Sequence, residues 1–248
     1  MTTPREMSRL TKRLAAYSTV DPNMRKLTQN AITLSFRSEP VFITGDTGTG
    51  KEVIATIVHG TRVDNITTVN TTAVTDTLFE SELFGHVKGS FTGAYCDREG
   101  LVASAGVGTL FLDEIGDMPV TLQAKILRLI QFGTYRSVGS DKIRTASCRI
   151  IAATCKNVPQ LIDKKLFRED LYYRLSTFML HLTPLHSRRH DIHHYLTNHK
   201  LWHKIPEDHR KHFTAYADNE PIHGNYRELE QIMLRYEVLE ELPKLASV

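Results

Sequence analysis

Pro40-Val-Phe-Ile-Thr44-Gly45-Asp46-Thr47-Gly48-Thr49-Gly50-Lys51 is the stretch that decides the fold. Its first half is a short apolar run that reads as a buried strand, and it leads straight into a glycine loop and a helical pattern through Val58. The spacing Gly45-x-x-x-x-Gly50-Lys51 is that of a phosphate-binding loop. Glycines let successive backbone N–H groups converge on phosphate oxygens, the following helix adds the positive end of its dipole, and Lys51 reaches the terminal phosphates. Binding of ATP or GTP is the expectation. The residue after the lysine, normally a magnesium-ligating Ser or Thr, is Glu52, so magnesium has to be held mainly from elsewhere.

Downstream, Thr109-Leu-Phe-Leu-Asp113-Glu114 is an apolar strand ending in two carboxylates, and strand C-termini in open α/β sheets are where ligands bind. Two such acids alone describe a solvated turn. Paired with a phosphate loop, Asp113 reads as the Mg2+ ligand, direct or through water, and Glu114 as the group that polarises the attacking water. Ile66 to Asn70 and Arg149 to Thr154 are further buried strands, separated by helical patterns such as Val120 to Phe132. Strands alternating with helices predict an α/β fold, a parallel sheet sandwiched by helices. Upstream, a helix is expected near Arg5 to Tyr17. A second starts at Asp21 as N-cap with Pro22 first in the helix, and carries Met24, Leu27, Ala31 and Leu34 on one face. After about Arg188 strand signals vanish and helical stretches run through Glu241. The expected organisation is an N-terminal helical extension over 1–18, an α/β subdomain over 19–187 and a helical lid over 188–248.

With 248 residues and 41% hydrophobic content the chain can bury a sizeable core. A net charge of +3 with no block of like charges gives no nucleic-acid tail. Cys96, Cys148 and Cys155 form neither a disulfide framework nor a zinc pattern, and reduced thiols are the simplest reading. No apolar leader follows Met1 and no run is long enough to span a membrane, so a cytoplasmic location is expected. Seven of the twelve histidines lie between His181 and His203, but a metal site needs a closed ligand set, and exposed or partly packed histidines are expected instead.

Five motifs, Glu80-Ser-Glu-Leu-Phe-Gly-His86, Gly89-Ser90-Phe91-Thr92-Gly93-Ala94, Gly108-Thr-Leu-Phe-Leu-Asp-Glu-Ile115, Phe167-Arg-Glu-Asp-Leu-Tyr-Tyr-Arg-Leu175 and Gly224-Asn-Tyr-Arg-Glu-Leu229, stand in order along the chain. Together they resemble the AAA+ P-loop ATPase domain of bacterial enhancer-binding proteins, the activators of sigma-54 RNA polymerase. The resemblance covers about Asp21 to Tyr236. Its most diagnostic piece is Gly89 to Ala94, similar to the family's GAFTGA loop with Ser90 for the first alanine. It implies an exposed loop whose Phe91 and Thr92 touch the sigma factor when ATP is at its transition state, and a hexameric ring that remodels the polymerase for open-complex formation. Asn70 resembles the asparagine that holds the catalytic glutamate back until nucleotide is sensed. Arg168 and Arg174 resemble the arginines offered to a neighbouring subunit's ATP, and Arg227 resembles the lid arginine that reports the γ-phosphate.

Several family positions differ. Thr154-Cys155 replaces a Thr-Asn sensor, exchanging an amide for a weakly hydrogen-bonding thiol. Ile222-His223 replaces Trp-Pro, and Thr183-Pro-Leu-His186 replaces Pro-Pro-Leu-Arg. No receiver or ligand-sensing segment is expected ahead of the ATPase region. About twenty residues follow Arg227, too few for a helix-turn-helix, so DNA contact is expected to be indirect or through a partner. Two functions stay open on these residues: a hydrolysing activator, and a nucleotide-binding module that joins rings of a fuller relative without efficient hydrolysis.

Overall fold

The computed structural model describes residues 18–60, 66–71 and 76–245; the helix expected near Arg5 to Tyr17 lies outside them. The first element is α1 (Pro22–Ser35), which begins as its sequence requires: the Asp21 carboxylate accepts from the Met24 N–H at 2.9 Å, and Pro22 occupies the first turn, where no N–H is needed. Met24, Leu27, Ala31 and Leu34 are its buried face.

Five strands form one sheet in the order β2 (Ile66–Asn70), β3 (Thr109–Asp113), β6 (Arg149–Thr154), β1 (Val41–Gly45) and β7 (Met179–Leu182), with every neighbouring pair parallel. The central strands β1, β3 and β6 are covered on both faces and are almost continuously buried, whereas β2, expected to be buried, buries only Val69 at the sheet edge. Phe42, Leu110, Leu112, Ile150 and Ala152 face one core with α3 (Asp76–Phe84), α5 (Val120–Phe132) and α7 (Glu169–Leu175). The alternate residues Val41, Ile43, Phe111, Ile151 and Ala153 face another with α1 and α2 (Lys51–His59). Each fully buried aliphatic or aromatic side chain adds roughly 1.5–3 kcal/mol.

The edge strand β7 was not predicted. Its residues alternate exposed and buried, and with only four of them the pattern does not stand out from the polar sequence around it. The short α4 (Leu101–Ser104), α6 (Val158–Asp163) and the two-residue ladder β4 (Thr134–Tyr135) with β5 (Arg144–Thr145) complete this part. From residue 185 on, α8 (Arg189–Asn198), α9 (Glu207–Asn219) and α10 (Asn225–Leu239) gather a separate core around Leu196, Phe213, Leu229 and Met233. Among the described residues no helix is long and apolar enough to cross a membrane.

Parallel strands put their C-terminal ends on one edge. Gly45, Asn70, Asp113 and Thr154 all terminate there, with Asn70 in register with Asp113.

Candidate nucleotide site

The loop leaving β1 folds back over its own lysine. Gly50 (φ +99°) lies in the left-handed region where only glycine is at ease, and α2 starts immediately after it. Gly48 (φ +78°) has a second reason to be glycine, since a Cβ there would stand 2.2 Å from the Gly224 carbonyl oxygen. Loop and C-terminal helices therefore touch backbone to backbone. Lys51 is buried, and its ammonium donates to the carbonyls of Gly45 (3.0 Å) and Asp46 (3.3 Å). It also lies 3.4 Å from Glu114 Oε1. Thr49 closes the turn on the Asp46 carbonyl at 2.7 Å.

Glu114 holds a left-handed backbone (φ +52°), a strained setting for a side chain of this kind. Its Oε2 accepts from the Cys155 backbone N–H at 2.8 Å, so its two oxygens face two different partners. Burial pushes its pKa up, but the Cys155 N–H and the Lys51 charge outweigh that and leave it below the ordinary glutamate value. Asp113 goes the other way: burial and the neighbouring Glu114 charge raise its pKa. A pair of adjacent acids with opposite tendencies is a common mark of a functional site.

Across the loop stands α10. Asn225 is buried in a left-handed conformation (φ +54°); its Oδ1 accepts from the Leu185 N–H at 2.7 Å, and its Nδ2 donates to the Thr47 carbonyl at 2.9 Å. Tyr226 N–H adds a bond to the Gly48 carbonyl at 3.0 Å. Between loop, strand ends and helices lies a cavity of about 740 Å³, within the size range of small-molecule sites. Lys51, Glu52, Asn70, Asp113, Glu114 and Arg227 all line it. Helix α8 contributes His194, Tyr195, Asn198 and His199 to the opposite wall.

Residues 17–181 match the model of the family described as the sigma-54 interaction domain. The chain belongs to the sigma-54 interaction domain family. Regulatory protein LuxO of Vibrio vulnificus is 48% identical over 155 residues, 61% of this chain and 34% of LuxO. Regulatory protein AtoC of Escherichia coli is 38% identical over 242 residues, 92% of this chain and 51% of AtoC. The chain thus spans between a third and about half of these relatives' lengths. Among solved structures, NtrX from Brucella abortus in complex with ADP superposes with a TM-score of 0.77 at 27% identity, covering 98% of this chain and 56% of that one. Its complex with ATP gives 0.76 at 28%. The fold is the AAA+ P-loop fold that the sequence predicts.

In this sigma-54 interaction domain Gly89–Ala94 is a turn closed by Gly89 N–H to the Ala94 carbonyl at 2.8 Å. Thr92 and Gly93 are exposed, whereas Phe91 is half-buried, edge-on to the His86 ring at 5.0 Å. The exposed loop expected from the sequence is therefore only partly exposed here. Ser90 Oγ is buried without a partner among the described residues. Arg168 and Arg174 do not line the cavity; Arg168 pairs with Asp170 at 2.8 Å, and Arg174 is exposed on α7. The histidines of α8 diverge, His193 to Asp218 at 2.8 Å and His194 to Ser18 at 2.5 Å.

Sequence reasoning passed over two contributors. Asn225 joins partners 40 and 178 residues away, a role no local pattern announces. Cys155 was read as a weakened side chain, yet its backbone N–H, which any residue supplies, is what holds Glu114.

Proposed function

We propose that the chain binds ATP with magnesium between the phosphate loop and the C-terminal helices, hydrolyses it as a subunit of a ring, and uses Gly89–Ala94 to remodel sigma-54 RNA polymerase for open-complex formation. The observation that carries this reading is the convergence of Lys51, Asp113, Glu114 and Arg227 on one cavity. In it, residues 188–248 act as a lid, Gly45 to Lys51 cradle the phosphates, and Arg227 reports the terminal one. NtrX, solved with ATP and with ADP, supports nucleotide as the ligand. As a bacterial transcriptional regulator the protein would work in the cytoplasm.

The residues present fit a hard divalent cation. The Asp113 carboxylate faces the cavity with, among the described residues, one bond, from the Glu114 N–H at 3.1 Å, and Glu52 lines the same space where a hydroxyl is usual. Bound there, magnesium would supply positive charge to the phosphates and relieve the crowding of Asp113 by Glu114. The chain's own contribution is positional. Lys51, shared among two carbonyls and Glu114, turns to the stronger negative charge of a terminal phosphate. That movement frees Glu114 Oε1 to accept a proton from water, while Cys155 N–H keeps Oε2 in place. The Cys155 N–H, which stays, favours the ionised form and helps keep Glu114 an acceptor. In this reading Asn70, in register with Asp113 at the strand end, restrains Glu114 in the nucleotide-free state.

A second reading, a module that joins rings without efficient hydrolysis, rests on Cys155 in place of an amide. Retention of the N–H to Glu114 favours hydrolysis. Phosphate release by the purified protein decides between them: turnover in wild type, reduced by about 10²–10⁴ in Glu114→Gln with ATP binding kept, supports the first reading. No release by wild type above background, with ATP bound, supports the second.

A further inference from the structure

The side chain of Gln123 is fully buried on α5 and, among the described residues, bonds only to backbone. Its Nε2 donates to the carbonyls of Met118 (2.8 Å) and Leu166 (3.0 Å), and its Oε1 accepts from the Arg168 N–H (2.8 Å). Met118 ends the tight turn that begins at Glu114, a turn closed by Asp117 N–H to the Glu114 carbonyl at 2.9 Å and Met118 N–H to the Ile115 carbonyl at 3.1 Å. One amide therefore joins the acid-bearing turn to the backbone of Arg168, which lies 45 residues beyond Gln123.

Packing does not call for a polar group at this position. Leu122, Ile126 and Leu127 around it on α5 are buried and apolar; the polar demand comes from the Met118 and Leu166 carbonyls and the Arg168 N–H, which an apolar side chain would leave without this partner. A buried, fully used amide fixes geometry more than it adds stability. The Arg168 side chain is 40% exposed and, among the described residues, is held by Asp170 alone, a weak surface pair that a phosphate can displace. Its backbone is anchored on both sides, by buried Phe167 before it and Gln123 beneath it.

We propose that Gln123 is a positioning residue that couples the Asp113–Glu114 turn of a subunit to the arginine that the same subunit presents to its neighbour. The proposal rests on the reading of Arg168 as a group offered in trans. A shift of the Glu114 turn on nucleotide binding is passed through Met118 and the amide to Arg168, so each subunit's arginine reports its own site to the next.

The test is Gln123→Met, which keeps length and apolar volume but removes all three bonds. We expect ATP affinity within about twofold of wild type and kcat lowered about tenfold or more, the size of effect that misplacing a catalytic group brings. Mixing with Glu114→Gln protein should restore turnover, because those subunits offer a correctly held arginine to the intact acids of Gln123→Met subunits. Wild-type turnover by Gln123→Met, or a loss that mixing does not repair, overturns the proposal. If Gln123→Met does not fold, amide exchange in the wild-type protein decides. A non-hydrolysable ATP analogue should alter protection at 115–118 and at Arg168 N–H together, and a change at the first without the second overturns the coupling. Arg168→Ala is the control for the underlying reading: if it hydrolyses ATP as wild type does, the trans arginine itself fails, whatever Gln123 does.

Discussion

Asp113 and Glu114 are neighbours with opposite proton affinities, and this has a consequence for stability. Burial and the Glu114 charge raise the Asp113 pKa, so the folded protein holds that proton more readily than the unfolded chain does. Its contribution to stability is full below the ordinary carboxylate range and is lost as pH rises through the raised value. Asp113→Asn is therefore expected to melt at a higher temperature than wild type near pH 7 without nucleotide, with the gain gone at about pH 3, where the wild-type acid is protonated in both states. Thermal scans at the two pH values check it. The same substitution should remove magnesium-dependent turnover. Lys51, Asp113 and Glu114 were legible in the sequence because a glycine loop and a strand end carry local patterns. Asn225 and Gln123 were not, because their meaning lies in backbone atoms that only the fold brings near.

Two side chains tie separate elements together. The guanidinium of Arg149, buried at the start of β6, donates to the carbonyls of Leu34 (2.9 Å) near the end of α1, Val58 (2.8 Å) near the end of α2 and Glu39 (3.2 Å). Helix C-termini leave carbonyls without partners, and a cation there also meets the negative end of the dipole. Arg149→Met should cost about 2–4 kcal/mol in denaturant unfolding, since several buried carbonyls lose their donor at once. Asn225→Ala breaks both the Leu185 and Thr47 bonds and puts alanine in a left-handed conformation. It should cost about 2–3 kcal/mol and weaken ATP binding about tenfold, measured by unfolding and by titration. The sequence predicted α1, β2, β6 and α5 because propensity, caps and apolar periodicity agree there. It missed β7, whose four alternating residues become a strand only by pairing with β1.

At the scale of the whole molecule, Arg168 at the N-cap of α7 and Arg174 within it lie outside the lining of the cavity that holds the acids. In the proposed ring those arginines would reach a neighbour's acids, and specific ATPase activity is then expected to rise with protein concentration until assembly is complete, as followed by phosphate release beside light scattering. Arg174→Ala, which leaves the cavity intact, should keep nucleotide binding while lowering turnover about a thousandfold. Beneath ring, loop and partner lies one claim, that the phosphate loop and the two acids hold ATP. Calorimetric titration of magnesium and ATP into the wild-type protein and into Lys51→Ala tests it most directly. Saturable binding, half-complete between about 1 µM and 1 mM and lost in Lys51→Ala, is the predicted result. Absence of binding by folded wild-type protein, or equal binding by both proteins, would contradict it.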